Sequence, residues 1–318
     1  MSEEQNYQDA FDQMEPEQVQ AIPAQEEPGL GRVKLGRSDE EFEEIRQLNE
    51  KMGYIPLLIS NLPSQGKFYR NDLQISIRAA RVAEIRDFST MDENNLFDVD
   101  EKLNNILATC VRVEFAGRRG SYKDLLEEDR LFIILSVREL SFKTGENKLV
   151  MKANCRSCSH ENEYELKTTT LQYYDSSELQ KYYDGDMKAF VFSTKTEGSV
   201  VMCPPTIGVM RIITDFIKHK EEKKEKWDKS FLQILPYLHR EWRGFDDKAI
   251  FQMNVEFNGW SEKKFSIVYR LAEKMRIGVK QELNMLCANC DAEVAVPVTF
   301  PGGVKSLFVV SDIFTELL

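Results

Sequence analysis

The sequence predicts an α+β protein in which small β elements carry a four-cysteine, zinc-ribbon-like site that is interrupted by a mostly helical insertion. Three observations lead there. Two CxxC pairs, "CRSC" and "CANC", lie far apart, each between strand-like segments. Short β-branched runs near residue 60 give way to stretches of helical period. A block of four more helical stretches then fills most of the space between the cysteine pairs. With 318 residues, 42% hydrophobic and 30% charged, the chain is long enough for two ordinary domains and can bury a real core.

Residues 1–37 lack apolar periodicity and carry Pro16, Pro23, Pro28 and several Gln, the composition of a disordered acidic tail. Such a tail either orders on a partner or only solubilises the chain. Residues 1–50 hold 14 Asp and Glu against 4 Lys and Arg, so almost all of the net charge of −11 sits there and the body is near neutral. Order is expected from Ser38, where "SDEEFEEIRQLNEKMG" offers a capping box with Glu41, an apolar face of Phe42, Ile45, Leu48 and Met52, and Gly53 as a stop. That stripe faces either the core or a partner.

"IPLLIS" and "LQISIR" read as two strands joined by a connection over residues 62–71. Next, "DVDEKLNNILATCV" places Val99, Leu103, Ile106, Leu107, Cys110 and Val111 on one helical face, and "DRLFIILSVREL" does the same with Leu131, Ile134, Leu135 and Val137. "MKAFVFST" and "GSVVMC" read as paired strands closed by "KTEG". Four helices are expected from Thr206 onward, in "TIGVMRIITDFIKH", "SFLQILPYL", "DDKAIFQMNVEF" and "SEKKFSIVYRLAEKM", the last capped by Ser261. The charges of "KHKEEKKEKWDK" nearly cancel, as on the solvated end of a helix. The boundaries that follow are an acidic tail at 1–37, an N-terminal α+β domain at 38–174 with the first knuckle, a mostly helical insertion at 175–280, and the second knuckle with the C-terminal segment at 281–318.

Chemistry concentrates in Cys155, Cys158, Cys287 and Cys290. Strand signals flank both pairs, the layout in which two knuckles give four thiolates to one structural zinc. A redox CxxC sits instead at a strand-to-helix junction, and an empty or degenerate ribbon is the other alternative. Closing a loop of 128 residues between the knuckles costs about 4 kcal/mol, against about 10–16 kcal/mol for structural zinc in small peptides. Closure is easier still if the ends of the insertion lie together. His160 is a stray donor beside a set already complete. Cys110, on an apolar face, reads as a small buried hydrophobe. His160, His219 and His239 occur in unrelated contexts, and no GxSxG, HExxH or glycine-rich nucleotide fingerprint appears, so no catalytic residue is expected. No stretch approaches eighteen uncharged apolar residues and the first residues are acidic, so neither a membrane span nor a secretory signal is expected.

"LPSQGKFY", residues 62–69, pairs a proline turn and Gly-Lys with two aromatics. A phosphate loop would need Gly where Asn61 stands and Ser or Thr where Phe68 stands, so a nucleotide is not expected. The element LPS-x-G-x-x-Y, here Leu62, Pro63, Ser64, Gly66 and Tyr69, together with the helical segment and CxxC hairpin that follow, resembles the baseplate hub and hub-assembly proteins of T-even-type contractile-tailed bacteriophages. The likeness covers residues 55–170 and, more loosely, 285–300, and Gln65 stands where a lysine is expected. The resemblance implies a non-enzymatic structural or chaperone-like assembly component of the tail baseplate hub. Its partners would be other hub and tail proteins, and its place the host cytoplasm during assembly and the virion tail baseplate. Leu62, Pro63, Gly66, Phe68 and Tyr69 then form either a partner-docking element or an internally packed turn. The rival reading is a zinc-ribbon nucleic-acid-binding or transcription accessory protein, which should show the basic face that a near-neutral body does not suggest. No nucleic acid, membrane or small-molecule substrate is expected.

Overall fold

The computed structural model describes residues 52–142, 147–194, 196–300 and 302–309. The acidic tail at 1–37 and all but the last two residues of the stretch expected to form a helix from Ser38 lie outside the described residues.

Strands β1 (Ile55–Leu57) and β2 (Leu73–Ile77) pair antiparallel, with Leu57 opposite Ile75. Strand β2 alternates as a half-buried strand should, with Leu73, Ile75 and Ile77 inside and Gln74 outside. Two helices follow, α1 (Val82–Ser89) and α2 (Leu96–Cys110). Helix α1 was not legible as such. It starts where the Arg81 amide donates to the Glu84 carboxylate at 2.6 Å. Asn95 caps α2 by accepting from the amides of Phe97 and Asp98.

Val111, expected on the face of that helix, instead opens strand β3 (Val111–Phe115). "VRVEF" alternates and is β-branched, which favours the strand once Cys110 ends the helix. Strand β3 pairs with β2, and the short β4 (Arg118–Arg119) folds back on it, giving the antiparallel order β1-β2-β3-β4. Helix α3 (Arg130–Ser141) then runs through the core, burying Phe132, Ile133, Ile134, Leu135 and Val137. Hairpin β5 (Val150–Asn154) and β6 (Glu161–Glu165) carries the first CxxC.

The long stretch between the cysteine pairs contains β7 (Tyr183–Asp184), β8 (Ala189–Thr194) and β9 (Gly198–Met202) in one antiparallel sheet, then four helices. These are α4 (Ile207–Glu222), α5 (Lys229–Leu238), α6 (Asp247–Asn258) and α7 (Glu262–Lys274), capped by Thr206, Asp228, Asp246 and Ser261. Hairpin β10 (Glu282–Leu286) and β11 (Glu293–Pro297) carries the second CxxC.

Residues 172–174 and 278–280 bring the two ends of this stretch together. The Tyr174 amide donates to the Gly278 carbonyl at 3.1 Å, and the Lys280 amide to the Gln172 carbonyl at 2.8 Å. The main hydrophobic core runs through both parts of the chain, joining Leu62 and Ile106 to Phe190, Phe192, Ile234 and Leu271. A smaller cluster lies among α4, α5 and α6 around Val209, Phe231 and Ile250.

Residues 125–130 tie these parts to one another. The Ile207 amide donates to the Leu125 carbonyl at 2.7 Å and the Glu127 amide to the Pro205 carbonyl at 2.9 Å. Arg130 pairs with Asp100 of α2 at 2.6 Å. Glu128 accepts from the Gly278 amide at 3.0 Å. Burial, which the charges of Glu127 and Asp129 reinforce, pushes the Glu128 carboxyl up to about 7 against the pull of that amide and of Arg276.

The folded chain therefore holds a proton on Glu128 that an unfolded chain has already lost. Stability from the protonated form is complete below the ordinary glutamate value and is lost as pH rises through about 7. Glu128→Gln keeps an acceptor for Gly278 and removes the charge. Thermal melts should show the variant more stable than the parent at about pH 8, by roughly 1–3 kcal/mol, with the gap closing toward about pH 5.

Candidate metal centre and the motif loop

The two cysteine knuckles are built alike. In the first, the Cys155 amide donates to the His160 carbonyl at 2.9 Å and the Ser159 amide to the Cys155 carbonyl at 2.9 Å. In the second, the Cys287 amide donates to the Ala292 carbonyl at 2.9 Å and the Asp291 amide to the Cys287 carbonyl at 3.0 Å. Ser159 and Asp291, each four residues past the first cysteine of its pair, both take a left-handed conformation, with φ of 59° and 55°. The same turn is thus made twice, and each turn points two sulfurs to one side.

Those four sulfurs meet. Cys155 Sγ lies 3.6 Å from Cys290 Sγ, and Cys158 Sγ 3.6 Å from Cys287 Sγ. All four Sγ atoms fall within 4.8 Å of one another. A disulfide would need about 2.05 Å. Four thiolates at about 2.3 Å from a shared tetrahedral ion would stand about 3.8 Å apart, so the donor set and its spacing fit a metal. His160 spends its carbonyl on the turn, and the set that could hold an ion among the described residues is the four cysteines alone.

Electrostatics make the same case. Burial disfavours the Cys287 thiolate, but the amides of Asn289 and Cys290, the Asn162 side chain and Cys158 outweigh it and hold the thiol down to about 6. At Cys290 the Ala292 amide favours the thiolate, yet Cys158, burial, Cys155 and Cys287 together push the thiol up to about 12. Four sulfurs this close ionise together only with a cation among them, and that is what a bound metal supplies.

Asn162 was not anticipated from the sequence. Buried in β6, it donates to the His160 carbonyl at 3.0 Å and accepts from the Ala288 amide at 2.9 Å, joining the two knuckles. The position four residues past the second cysteine is Asn162 in one knuckle and Val294 in the other. A polar residue at an inward strand position was the available hint. The other two cysteines are structural: burial raises both thiols, Cys203 to about 11.

The apolar side chains of the motif loop turn inward. Leu62, Phe68 and Tyr69 are 1%, 3% and 4% exposed, and Pro63 is also buried, so these side chains pack inside the chain. The reason is a buried carboxylate. Asp129, fully buried, accepts from the Ser64 amide at 2.9 Å, the Ser64 hydroxyl at 2.7 Å and the Tyr69 hydroxyl at 2.7 Å. The Tyr69 oxygen in turn accepts from the Leu126 amide at 2.8 Å. Burial raises the Asp129 carboxyl while its three donors pull it down, and Tyr69 is raised by burial and by Asp129.

Gly66 turns the chain at φ 75°, where a Cβ would stand 2.6 Å from Ile59 Cγ2. Phe68 packs edge-on against Tyr183 and tilted against Phe190. The Phe68 carbonyl accepts from Arg240, and the Lys67 carbonyl from the Tyr183 hydroxyl. Gln65 and Lys67 are the side chains of the loop that reach solvent, on the wall of a groove of about 660 Å³.

The family described as T4 bacteriophage base plate protein matches residues 56–234, more than half of the chain. The matched region takes in the motif loop, the Asp129 contacts and the first knuckle. The chain belongs to this family, which gives it a structural or assembly role in the phage tail baseplate among other tail proteins. No curated protein and no solved structure matches it. No helix among the described residues is long and apolar enough to cross a membrane.

Metal analysis of protein purified reduced and without chelator should give about one equivalent per chain. Cys155→Ser and Cys287→Ser should each abolish it and lower the melting temperature by similar amounts, because each removes one donor from one closed site. Strongly unequal effects would mean two separate structures. Tyr69→Phe should cost about 1–3 kcal/mol and Ser64→Ala about 1 kcal/mol. A denaturant double-mutant cycle should give a coupling of at least about 0.5 kcal/mol, because both hydroxyls serve the same carboxylate oxygen.

Proposed function

We propose that the protein is a non-enzymatic component of the baseplate hub that acts by binding other hub and tail proteins during tail assembly in the host cytoplasm. The observation that carries this reading is the family match over residues 56–234. The cysteine site supports it, since a set of four thiolates would leave no open position for a substrate. We assign the metal as zinc, the ion that four thiolates in two knuckles suit best outside iron–sulfur chemistry.

Leu62, Pro63, Gly66, Phe68 and Tyr69 serve docking in this reading by fixing the backbone from within. Gln65 and Lys67 make the contact. A loop held this rigidly loses little entropy on binding, so two polar side chains suffice to orient a partner at its surface.

Co-expression with candidate hub proteins of the same phage, followed by pull-down and gel filtration, tests the reading. A stable complex is expected, and Lys67→Glu with Gln65→Ala should weaken it at least tenfold while leaving the melting temperature unchanged. Full-chain titration with duplex and single-stranded DNA at about 150 mM salt should show no micromolar binding. DNA binding without any protein partner would move the protein to the nucleic-acid class.

A further inference from the structure

A second groove, of about 1260 Å³, opens between the β3–β4 hairpin, the turn joining β7 to β8 and the segment after α5. Phe115 and Trp242 supply apolar surface, but its character is set by charge. Arg70 is paired with Asp72 at 2.9 Å, and Arg243 is shared between Asp124 at 2.8 Å and Glu241 at 3.5 Å. The remaining cations have no carboxylate partner among the described residues. Arg118, Arg119 and Lys188 carry no ion pair, and Arg240 spends its guanidinium on two carbonyls, those of Met187 and Phe68. Asp186 is the lining carboxylate without a cation of its own. With Asp186 unpaired and Arg243 shared between two carboxylates, four positive charges face two negative charges in one groove of a chain whose net charge is −11.

We propose that this groove docks the chain's own acidic N-terminal segment, residues 3–27. That segment carries eight Asp and Glu and no Lys or Arg. It is also tethered at the right place. Met52 Sδ lies 3.6 Å from Arg112 Nη2 on β3, three residues before Phe115 on the groove wall, or about 10 Å along the strand. The 24 residues between 27 and 52 span about 25–30 Å even as a flexible coil, so the groove lies within reach. Tethering supplies the segment at an effective concentration near millimolar, and weak, screened ion pairs then suffice for occupancy.

Zero-length carbodiimide cross-linking of the full chain, read by mass spectrometry, tests this. At about 50 mM salt, Lys188 should join to acids within residues 3–27, while the exposed Lys248 and Lys263 on α6 and α7 should not. The yield should fall several-fold at about 500 mM salt and in Arg118→Gln/Arg119→Gln, whose exposed sites leave the melting temperature unchanged. Even cross-linking over all three lysines, or a yield indifferent to the two arginines, overturns the proposal. So do cross-links found only between differently isotope-labelled chains, which would place another copy's segment there. Capture of duplex DNA by the full chain with no Lys188 cross-link would assign the groove to nucleic acid instead.

Discussion

A carboxylate placed out of reach of water must be met by donors or it destabilises the fold that buries it. Asp129 is such a group, and the three bonds that satisfy it all come from one eight-residue loop some sixty residues earlier. This requirement explains the loop's composition residue by residue. Ser64 and Tyr69 supply the donors, Gly66 supplies the turn that no side chain fits, and Pro63 restricts the approach. The neighbours of Asp129 extend the same constraint: Glu128 reaches the end of the long stretch between the cysteine pairs, Leu125 and Glu127 the start of α4, and Arg130 helix α2. Six consecutive residues thereby hold four separate parts of the chain in register.

The cysteine site relies on that frame. Two hairpins from distant parts of the sequence meet because residues 172–174 and 278–280 are bonded side by side, so the knuckles start from fixed positions. Asn162 then sets their mutual spacing. A metal added to such a frame closes a loop whose ends are already together, and the entropy it must offset is far below that of a free chain of this length.

Local features were legible in the sequence, and distant partnerships were not. The helices from Thr206 to Lys274 announce themselves through caps and period, and the knuckles through repeated spacing between strand signals. Strand β4 has two residues and carries no period at all. Helix α1 is only eight residues long, and its start depends on Glu84 reaching back to the Arg81 amide. The loop's two aromatics read equally well as outward anchors or inward packing, because that choice rests with Asp129, 60 residues away. The cations around the second groove come from four separate stretches, and a net charge counted along the body averages them away.

The wide separation of the knuckles also fixes an order of events in synthesis. Cys155 and Cys158 leave the ribosome long before Cys287 and Cys290, and with them goes most of the region that matches the family. Until residue 290 has emerged, the first hairpin has two thiols and no partner pair. Completion of the four-sulfur set is therefore a late step in the life of each nascent chain, and a chain stopped between residues 158 and 287 carries half a site.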